Sequence, residues 1–423
     1  TLVSGVIIQG IIGLHCWGFA RYGLPLWSAS VAYSGLAGIL WGLFSSGLRR
    51  APTPVSAAVA WGAVESLRQI GPVGFPLYLG ATQAGLPWGS ALGVVGSVGL
   101  SALIVGFGVS LARRERFLQW AFCAVLTAVL GFWQPGLQEV GTPTRVAVVQ
   151  GGVNHQLYEV ASLSEAARQL VRVRYVELTE AALEQGAGLV ILPEAAFHRP
   201  VPLHHGRLLS PILPAWSGAA SATIVIGSYF VSTENGSQSN GAIAVAAQAP
   251  EEGLGMVGKR LLVPFTERHF IPGEGTVLET TVGPVAPLIC WESMYPRLAR
   301  DAAQSAPLLA VLTNDAGFAR APIAHAHAEQ GWARAIETGR PLLRAAQAGV
   351  SLIIGAQGEL LGRRGVFEPA VLSARVSPVH GWTWFTRFGY FLAWAFLAAA
   401  VAHLFWLNRS FFQAGRRSSA KRS

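Results

Sequence analysis

Charge is spread so unevenly along this 423-residue chain that it divides the fold before any motif is considered. Few ionisable residues lie before about residue 140, many lie between 144 and 380, and a basic cluster closes the chain. The composition, 52% hydrophobic and 13% charged with 14 tryptophans, is that of a membrane protein carrying a soluble domain. Apolar stretches occupy residues 1–20, Trp27 to Gly47, Pro54 to about Leu67, Trp88 to Leu111 and Phe117 to Trp133, and one more runs from about Trp384 to Leu407. Residues 71–80 are too rich in Gly and Pro for a regular helix and read as a re-entrant or interfacial loop.

The basic residues complete this picture. Arg49-Arg50, Arg113 to Arg116 and the tail Arg416-Arg417-Lys421-Arg422 all flank apolar spans, so the positive-inside rule places them in the cytoplasm. By alternation, residues 141–380 then face the periplasm, between a transmembrane domain over 1–140 and a C-terminal span with a cytoplasmic tail over 381–423. The localisation predicted is a multi-pass protein of the bacterial inner membrane. The net charge of +9 is absorbed by these flanks, and no basic stripe with interleaved aromatics marks a nucleic-acid surface. The three cysteines, Cys16, Cys123 and Cys290, show no metal-ligand spacing and no disulfide framework.

Residues 144–380 read as α/β. Arg145–Gln150, Leu189–Leu192, Ala222–Gly227, Ala242–Ala246, Val285–Ile289, Leu308–Leu312, Leu342–Ala346, Leu352–Ile354 and Val371–Val376 are short apolar runs typical of buried strands. Helical spacing covers Leu163 to Gln185, Ser210–Ala220 and Ala324–Thr338, and begins again near Tyr295. Strands alternating with helices imply helix-covered sheets, and about 235 residues suffice for a full core.

Three residues in this region carry chemistry. Cys290 ends the strand 285–289, Glu194 lies just past a second apolar strand, after Leu192-Pro193, and Lys259 lies just before a third, Leu261-Leu262-Val263-Pro264-Phe265. A thiol must lose its proton to attack an acyl carbon, so a nearby carboxylate must act as base. The tetrahedral oxyanion then needs a fixed positive charge or N–H donors, available from Lys259 and the backbone at Trp291.

The order and spacing of this trio resemble the nitrilase superfamily, and with the flanking spans the resemblance narrows to the apolipoprotein N-acyltransferase family. It extends over Val149–Asn154, Leu262–Glu267, Pro287–Glu292, Thr313–Phe318 and Ala333–Ala345. The chain departs from the family pattern at Thr266-Glu267-Arg268 and at Gly317, and its six spans against eight are similar to the shortened TraB type of conjugal-transfer relative. The resemblance implies an α-β-β-α sandwich set between about five transmembrane helices before it and one after. It implies Glu194 as general base, Cys290 as the nucleophile that becomes a thioester, and Lys259 as oxyanion stabiliser. Glu267, Glu292, Trp291 and Asn314 are implied as supporting or substrate-binding residues. The implied reaction moves an acyl chain from a phospholipid donor to the N-terminal amine of a diacylglyceryl-cysteine lipoprotein acceptor at the bilayer. No cofactor, metal or nucleic acid is expected, and a monomer is expected. Two alternatives stay open: a membrane-tethered amidase or acyltransferase with another substrate, and a conjugal-transfer component that uses the domain for binding.

Blander readings compete for individual residues. Glu267 fits a solvated loop as well as a site, and Glu292 fits a buried ion-pair partner. Arg334 and Glu337, three apart on one helical face, read as a structural pair. His204-His205 reads as loop, and Asn314-Asp315 as turn and site wall. His325, His327 and Glu329 alternate along a helix and so point in different directions, which disfavours a shared ion.

Overall fold

A computed structural model describes residues 53–69, 76–197, 200–205, 207–208, 213–216, 221–250, 253–264, 266–318 and 322–402. The first two apolar stretches, the start of the 71–80 loop, Phe265 and the basic tail lie outside the described residues.

The apolar N-terminal part begins with helix α1, Pro54–Leu67, whose start is fixed by a reciprocal capping box between Thr53 and Ser56 and by Pro54 in its first turn. Helix α2, Leu92–Arg113, follows a short 3₁₀ turn at Pro87–Ala91, and α3 spans Phe117–Phe132. Among the described residues two helical segments are long and apolar enough to cross a membrane, Pro87–Arg113 and Phe385–Ala402, and Phe117–Phe132 is apolar but shorter. The third expected span, α1, has 14 residues. At 1.5 Å per residue it is about 21 Å long, short of the roughly 30 Å hydrocarbon layer.

The strands follow in chain order: β1 Leu137–Glu139, β2 Thr144–Gln150, β3 Leu189–Ile191, β4 Val201–His204, β5 Arg207–Leu208, β6 Thr223–Ser232, β7 Gln238–Ala246 and β8 Gly253–Gly258. The second half supplies β9 Val285–Ile289, β10 Leu308–Thr313, β11 Leu342–Ala346, β12 Ser351–Ile354, β13 Leu360–Arg364, β14 Ala370–Val376 and β15 Val379–Gly381. Between them lie helices α4 His155–Leu163, α5 Glu165–Glu184, α6 Pro296–Ser305 and α7 Ile323–Thr338. One mixed sheet has the order β14-β2-β3-β6-β4-β5, with β7 and β8 added beside β6, and the other has the order β13-β12-β11-β10-β9. The strands β1 and β15 pair where the chain enters and leaves this unit.

Strand runs that look uniformly apolar in sequence divide by alternation between two cores. In the first sheet Val146, Val148, Leu189 and Ile191 face Leu308, Ala310, Leu312, Leu343 and Ile353 of the second, forming the inner layer. Their neighbours Ala147, Val149, Val190 and Leu192 pack outward against Val171, Tyr175 and Ala182 of α5. On the far side Ala286, Leu288, Leu309 and Val311 pack against Leu298, Ala302, Ala328 and Ala335 of α6 and α7. The layers therefore run helix, sheet, sheet, helix, as the nitrilase-like α/β reading requires.

Some elements differ from the sequence reading. Of the helix expected over Ser210–Ala220, residues 213–216 are described and are not helical; Pro211 and Pro214 deny this stretch backbone donors. The apolar run after Lys259, expected as a strand, is not one over residues 260–264, where Pro264 lacks a ladder donor. The helix expected from Leu163 to Gln185 is α5, Glu165–Glu184, which Ser164 caps through Ala167; α4, just before it, was not expected. The strands β8 and β13 escaped the sequence reading because Gly253, Gly255 and Gly258 thin the first and Arg363 and Arg364 charge the second.

The apolar helices dock on the sandwich through buried polar groups. Gly96 in α2 adopts φ 66°, breaking the helix so that the Ser97 N–H and hydroxyl both reach Glu337 Oε1 of α7, at 2.6 and 2.7 Å. Arg334 Nη2 donates to the Ser97 hydroxyl at 2.6 Å, and its Nε lies 3.0 Å from Glu337 Oε2. Both side chains are fully buried, so removing one strands the other's charge. Glu337→Ala should lower the unfolding free energy by about 3–5 kcal/mol, read as a fall in melting temperature of the detergent-solubilised chain. An unchanged melting temperature would remove this pair as the docking point.

Candidate active site

Four strand ends converge at one end of the inner layer. Glu194 stands three residues beyond β3, Lys259 directly after β8, Cys290 directly after β9, and Asn314 directly after β10. Placement beyond strand ends frees these side chains from the ladder while the sheets hold their backbones.

The turns that carry the carboxylate and the thiol are both left-handed. Ala195, just after Glu194, has φ 51°, and Cys290 itself has φ 56°. Such a conformation costs a non-glycine residue about 1–3 kcal/mol and persists only where surrounding contacts enforce it. At Glu194 the enforcing contact is Gly227 of β6. Its carbonyl accepts from Ala196 N–H at 3.0 Å. A Cβ there would stand 2.4 Å from the Pro193 oxygen and 2.7 Å from Glu194 Cα, so only glycine admits the turn.

At Cys290 the enforcing group is Glu292. Its Oε2 accepts Ile289 N–H at 2.8 Å, and its Oε1 accepts Arg260 and Leu261 N–H at 2.8 and 3.0 Å. Glu292 thus ties the cysteine turn to the segment that carries Lys259. Burial raises its pKa, against the pull of these backbone donors and the Arg260 charge. The ion-pair reading of Glu292 is corrected accordingly, since its hydrogen-bond partners are backbone amides. Trp291 lies beneath the same turn, 2% exposed, with its indole Nε1 donating to the Leu261 carbonyl.

Lys259 is 1% exposed and shared by two carboxylates, with Nζ 3.0 Å from Glu194 Oε1 and 2.8 Å from Glu267 Oε1. Burial works against the ammonium, but the Glu194 and Glu267 carboxylates outweigh it and raise its pKa, so Lys259 stays charged. Glu267, weighed as a solvated loop residue, is a buried partner of this cation. Asn240 of β7 bridges the two carboxylates, donating from Nδ2 to Glu194 Oε1 at 2.7 Å and to Glu267 Oε1 at 2.8 Å. The remaining oxygens accept backbone N–H groups, Glu267 Oε2 from Val263 at 2.6 Å and Glu194 Oε2 from Asn314 at 3.0 Å. Asn314 therefore meets the site through its backbone, while its side-chain oxygen accepts Ala316 N–H in a local turn.

The Cys290 thiol senses this cluster. Burial and the Glu194 charge push its pKa up; Lys259 pulls it down, and burial prevails. The resting sulfur is a protonated thiol beside a carboxylate and a fixed ammonium. Such a set can pass the thiol proton to the carboxylate as a bond forms, and can face a developing oxyanion with positive charge.

Sequence reading missed two residues here. Asn240 had a signal, a polar side chain in an otherwise apolar run, but strand polarity alone does not say which face it takes. Tyr229 had none; burial, with the charges of Glu194 and Glu267 adding to it, raises its pKa, and its ring stacks on Phe270 at 5.0 Å between centroids. The histidines sort differently. His325 is exposed beside Arg363, and His327 is buried. Among the described residues the one group with metal-like donor spacing is His204, His205 and Glu234 on the surface, with His204 closing β4.

Because the thiol pKa is raised, the thiolate fraction should keep growing with pH beyond the range of an ordinary cysteine. Alkylation of Cys290 by iodoacetamide, followed on its tryptic peptide, should rise continuously from about pH 7 to about pH 10. A plateau below about pH 8 would show a thiolate already formed at rest, against this geometry.

Comparison with known proteins agrees with the nitrilase-like α/β fold. The carbon-nitrogen hydrolase family model matches residues 145–380. The chain is 29% identical over 402 residues to the apolipoprotein N-acyltransferase of Azotobacter vinelandii, covering 86% of this chain and 75% of that protein. It is 28% identical over 389 residues to the apolipoprotein N-acyltransferase of Geobacter metallireducens, covering 82% and 73%. Among solved structures, a carbon-nitrogen hydrolase from Helicobacter pylori is 18% identical with a TM-score of 0.43, covering 60% of this chain and 94% of that one. With more than half of its length matched, the chain belongs to the carbon-nitrogen hydrolase family, the enzymes of the nitrilase superfamily, and within it is similar to the apolipoprotein N-acyltransferases.

Proposed function

We propose that this protein is a membrane N-acyltransferase that carries an acyl chain from phospholipid, through a thioester on Cys290, to the N-terminal amine of a diacylglyceryl-cysteine lipoprotein. The observation that carries this reading is the buried Glu194–Lys259–Glu267 cluster beside the Cys290 thiol. It stands in a chain whose apolar helices suit a lipid substrate and whose relatives are named for this transfer.

In the first half-reaction the Cys290 sulfur attacks the ester carbonyl and Glu194 takes the thiol proton. Glu194 Oε1 already accepts from Lys259 and Asn240, whereas Oε2 accepts one backbone N–H and has a further lone pair for that proton. The oxyanion develops beside Lys259, whose ammonium is held in place before the reaction and needs no reorganisation. The C–O bond then breaks, the lysophospholipid alkoxide leaves with the proton from Glu194, and the thioester remains. In the second half the acceptor amine attacks the thioester and Glu194 takes its proton. The C–S bond breaks, the sulfur regains that proton, and an amide is released.

In this reading residues 1–140 form a transmembrane domain, 141–380 the catalytic domain on the periplasmic face of the inner membrane, and 381–423 the last span and cytoplasmic tail. The working unit is a monomer at the bilayer surface, and neither cofactor nor metal takes part.

The test is acyl transfer by the full chain in detergent, with phospholipid and a synthetic diacylglyceryl-cysteine peptide, the amide product being read by mass. Cys290→Ala should abolish transfer, and Glu194→Gln and Lys259→Met should each lower it on the order of a hundredfold or more. Wild-type transfer by Cys290→Ala would overturn the thioester route. Acylation of Cys290 without transfer to the peptide would instead reassign the acceptor.

A further inference from the structure

Behind the Cys290 turn lies a second buried polar cluster that the chemistry above does not use. His327 of α7, Asp315 after β10 and Arg344 of β11 are all fully or almost fully buried. His327 Nδ1 lies 3.0 Å from Asp315 Oδ1, and Arg344 Nη2 donates to Asp315 Oδ2 at 2.7 Å. The Thr313 hydroxyl also donates to Asp315 Oδ1, at 3.0 Å. Arg344 is fixed in turn by its Nε, which donates to the Val350 carbonyl at 3.1 Å. On its other side, His327 Nε2 lies 3.2 Å from the backbone carbonyl oxygen of Cys290 and 3.3 Å from the Ser293 hydroxyl.

These contacts converge on one oxygen. The Ser293 hydroxyl donates to the Cys290 carbonyl at 2.8 Å. A proton on His327 Nε2 is placed to donate to that same carbonyl, while Asp315 against Nδ1 sets the orientation of the ring.

We propose that His327 is a positioning residue: anchored by Asp315 and Arg344, it clamps the Cys290 carbonyl and holds the left-handed backbone from which the thiol projects. The anchor is itself held in place. Burial would raise the Asp315 carboxyl, but His327 and Arg344 outweigh it and hold Asp315 at about 2. The clamp also completes the turn's restraint. Glu292 holds the N–H of Ile289 on the entering side, and His327 with Ser293 holds the carbonyl of Cys290 on the leaving side. A strained φ of 56° at a non-glycine nucleophile is thereby fixed from both flanks.

The inference rests on Cys290 being the reactive thiol, and its test reads that thiol without any lipid. The full chain in detergent is treated with iodoacetamide at one pH, and alkylation is quantified on the Cys290 peptide against a synthetic cysteine peptide added as internal reference. His327→Ala should slow Cys290 alkylation about tenfold or more relative to that peptide, because a donor to the turn is lost. His327→Gln, whose amide can still donate to the carbonyl, should recover most of that rate, whereas the shorter His327→Asn should not. Asp315→Asn should resemble His327→Ala. Should His327→Ala not fold, the contrast between the Gln and Asn variants decides. Alkylation of His327→Ala at the wild-type rate, or of His327→Gln no faster than His327→Asn, would overturn the clamp. If these variants follow the expected order but phospholipid never acylates Cys290, the clamp stands and the proposed acyl donor falls.

Discussion

A single buried ammonium organises the site. Lys259 can remain charged at 1% exposure only because Glu194 and Glu267 meet it at 3.0 and 2.8 Å, and those carboxylates tolerate each other only because Lys259 and Asn240 stand between them. Each member justifies the burial of the others, as a buried charge cluster must. The cluster sets a carboxylate beside a thiol that burial holds protonated, and this is the starting arrangement for a proton transfer timed to bond formation.

Geometry around the cluster is built by fixing turns rather than by adding charges. Gly227 admits the left-handed turn after Glu194, and Glu292 binds the Cys290 turn to the Lys259 segment through three backbone amides. The sandwich supplies the rigid frame, with β9 and β10 parallel neighbours whose ends deliver Cys290 and Asn314 side by side. Apolar helix α2 is pinned to the same unit through Ser97 and the Arg334–Glu337 pair, on the helix that carries His327. An apolar helix and the nucleophile's support thus share α7, which couples the apolar helical part of the chain to the site by packing.

Much of this was legible in the sequence, for identifiable reasons. Val285–Ile289 and Leu342–Ala346 are uninterrupted apolar runs between clear breaks, and they form strands with the bounds expected. Glu194 and Cys290 were readable because each sits where an apolar run stops, whereas Lys259 was found beside an apolar run that forms no strand, and the strand it follows, β8, went unread. What stayed hidden depended on facing across the fold. Asn240 gave no hint that it bridges two carboxylates, because its partners lie 46 and 27 residues away. Glu292 read as an ion-pair partner because a sequence shows charges but not the backbone amides that fold towards them. His327 looked like one of an alternating His pair, and only the packing of α7 against the Cys290 turn separates it from exposed His325. Glycine-thinned β8 and charged β13 lacked the apolar signature, because pairing at a sheet margin can hold a strand that propensity does not favour.

The central claim is that Cys290 becomes an acyl thioester, and it is tested most directly without any acceptor. The purified chain is incubated with one defined phospholipid, digested, and the Cys290 peptide weighed before and after hydroxylamine. A mass increase of one acyl chain, absent from Glu194→Gln and Lys259→Met and removed by hydroxylamine, is the result expected. An unmodified Cys290 peptide across a range of phospholipids, in folded protein whose Cys290 still reacts with iodoacetamide, would contradict it.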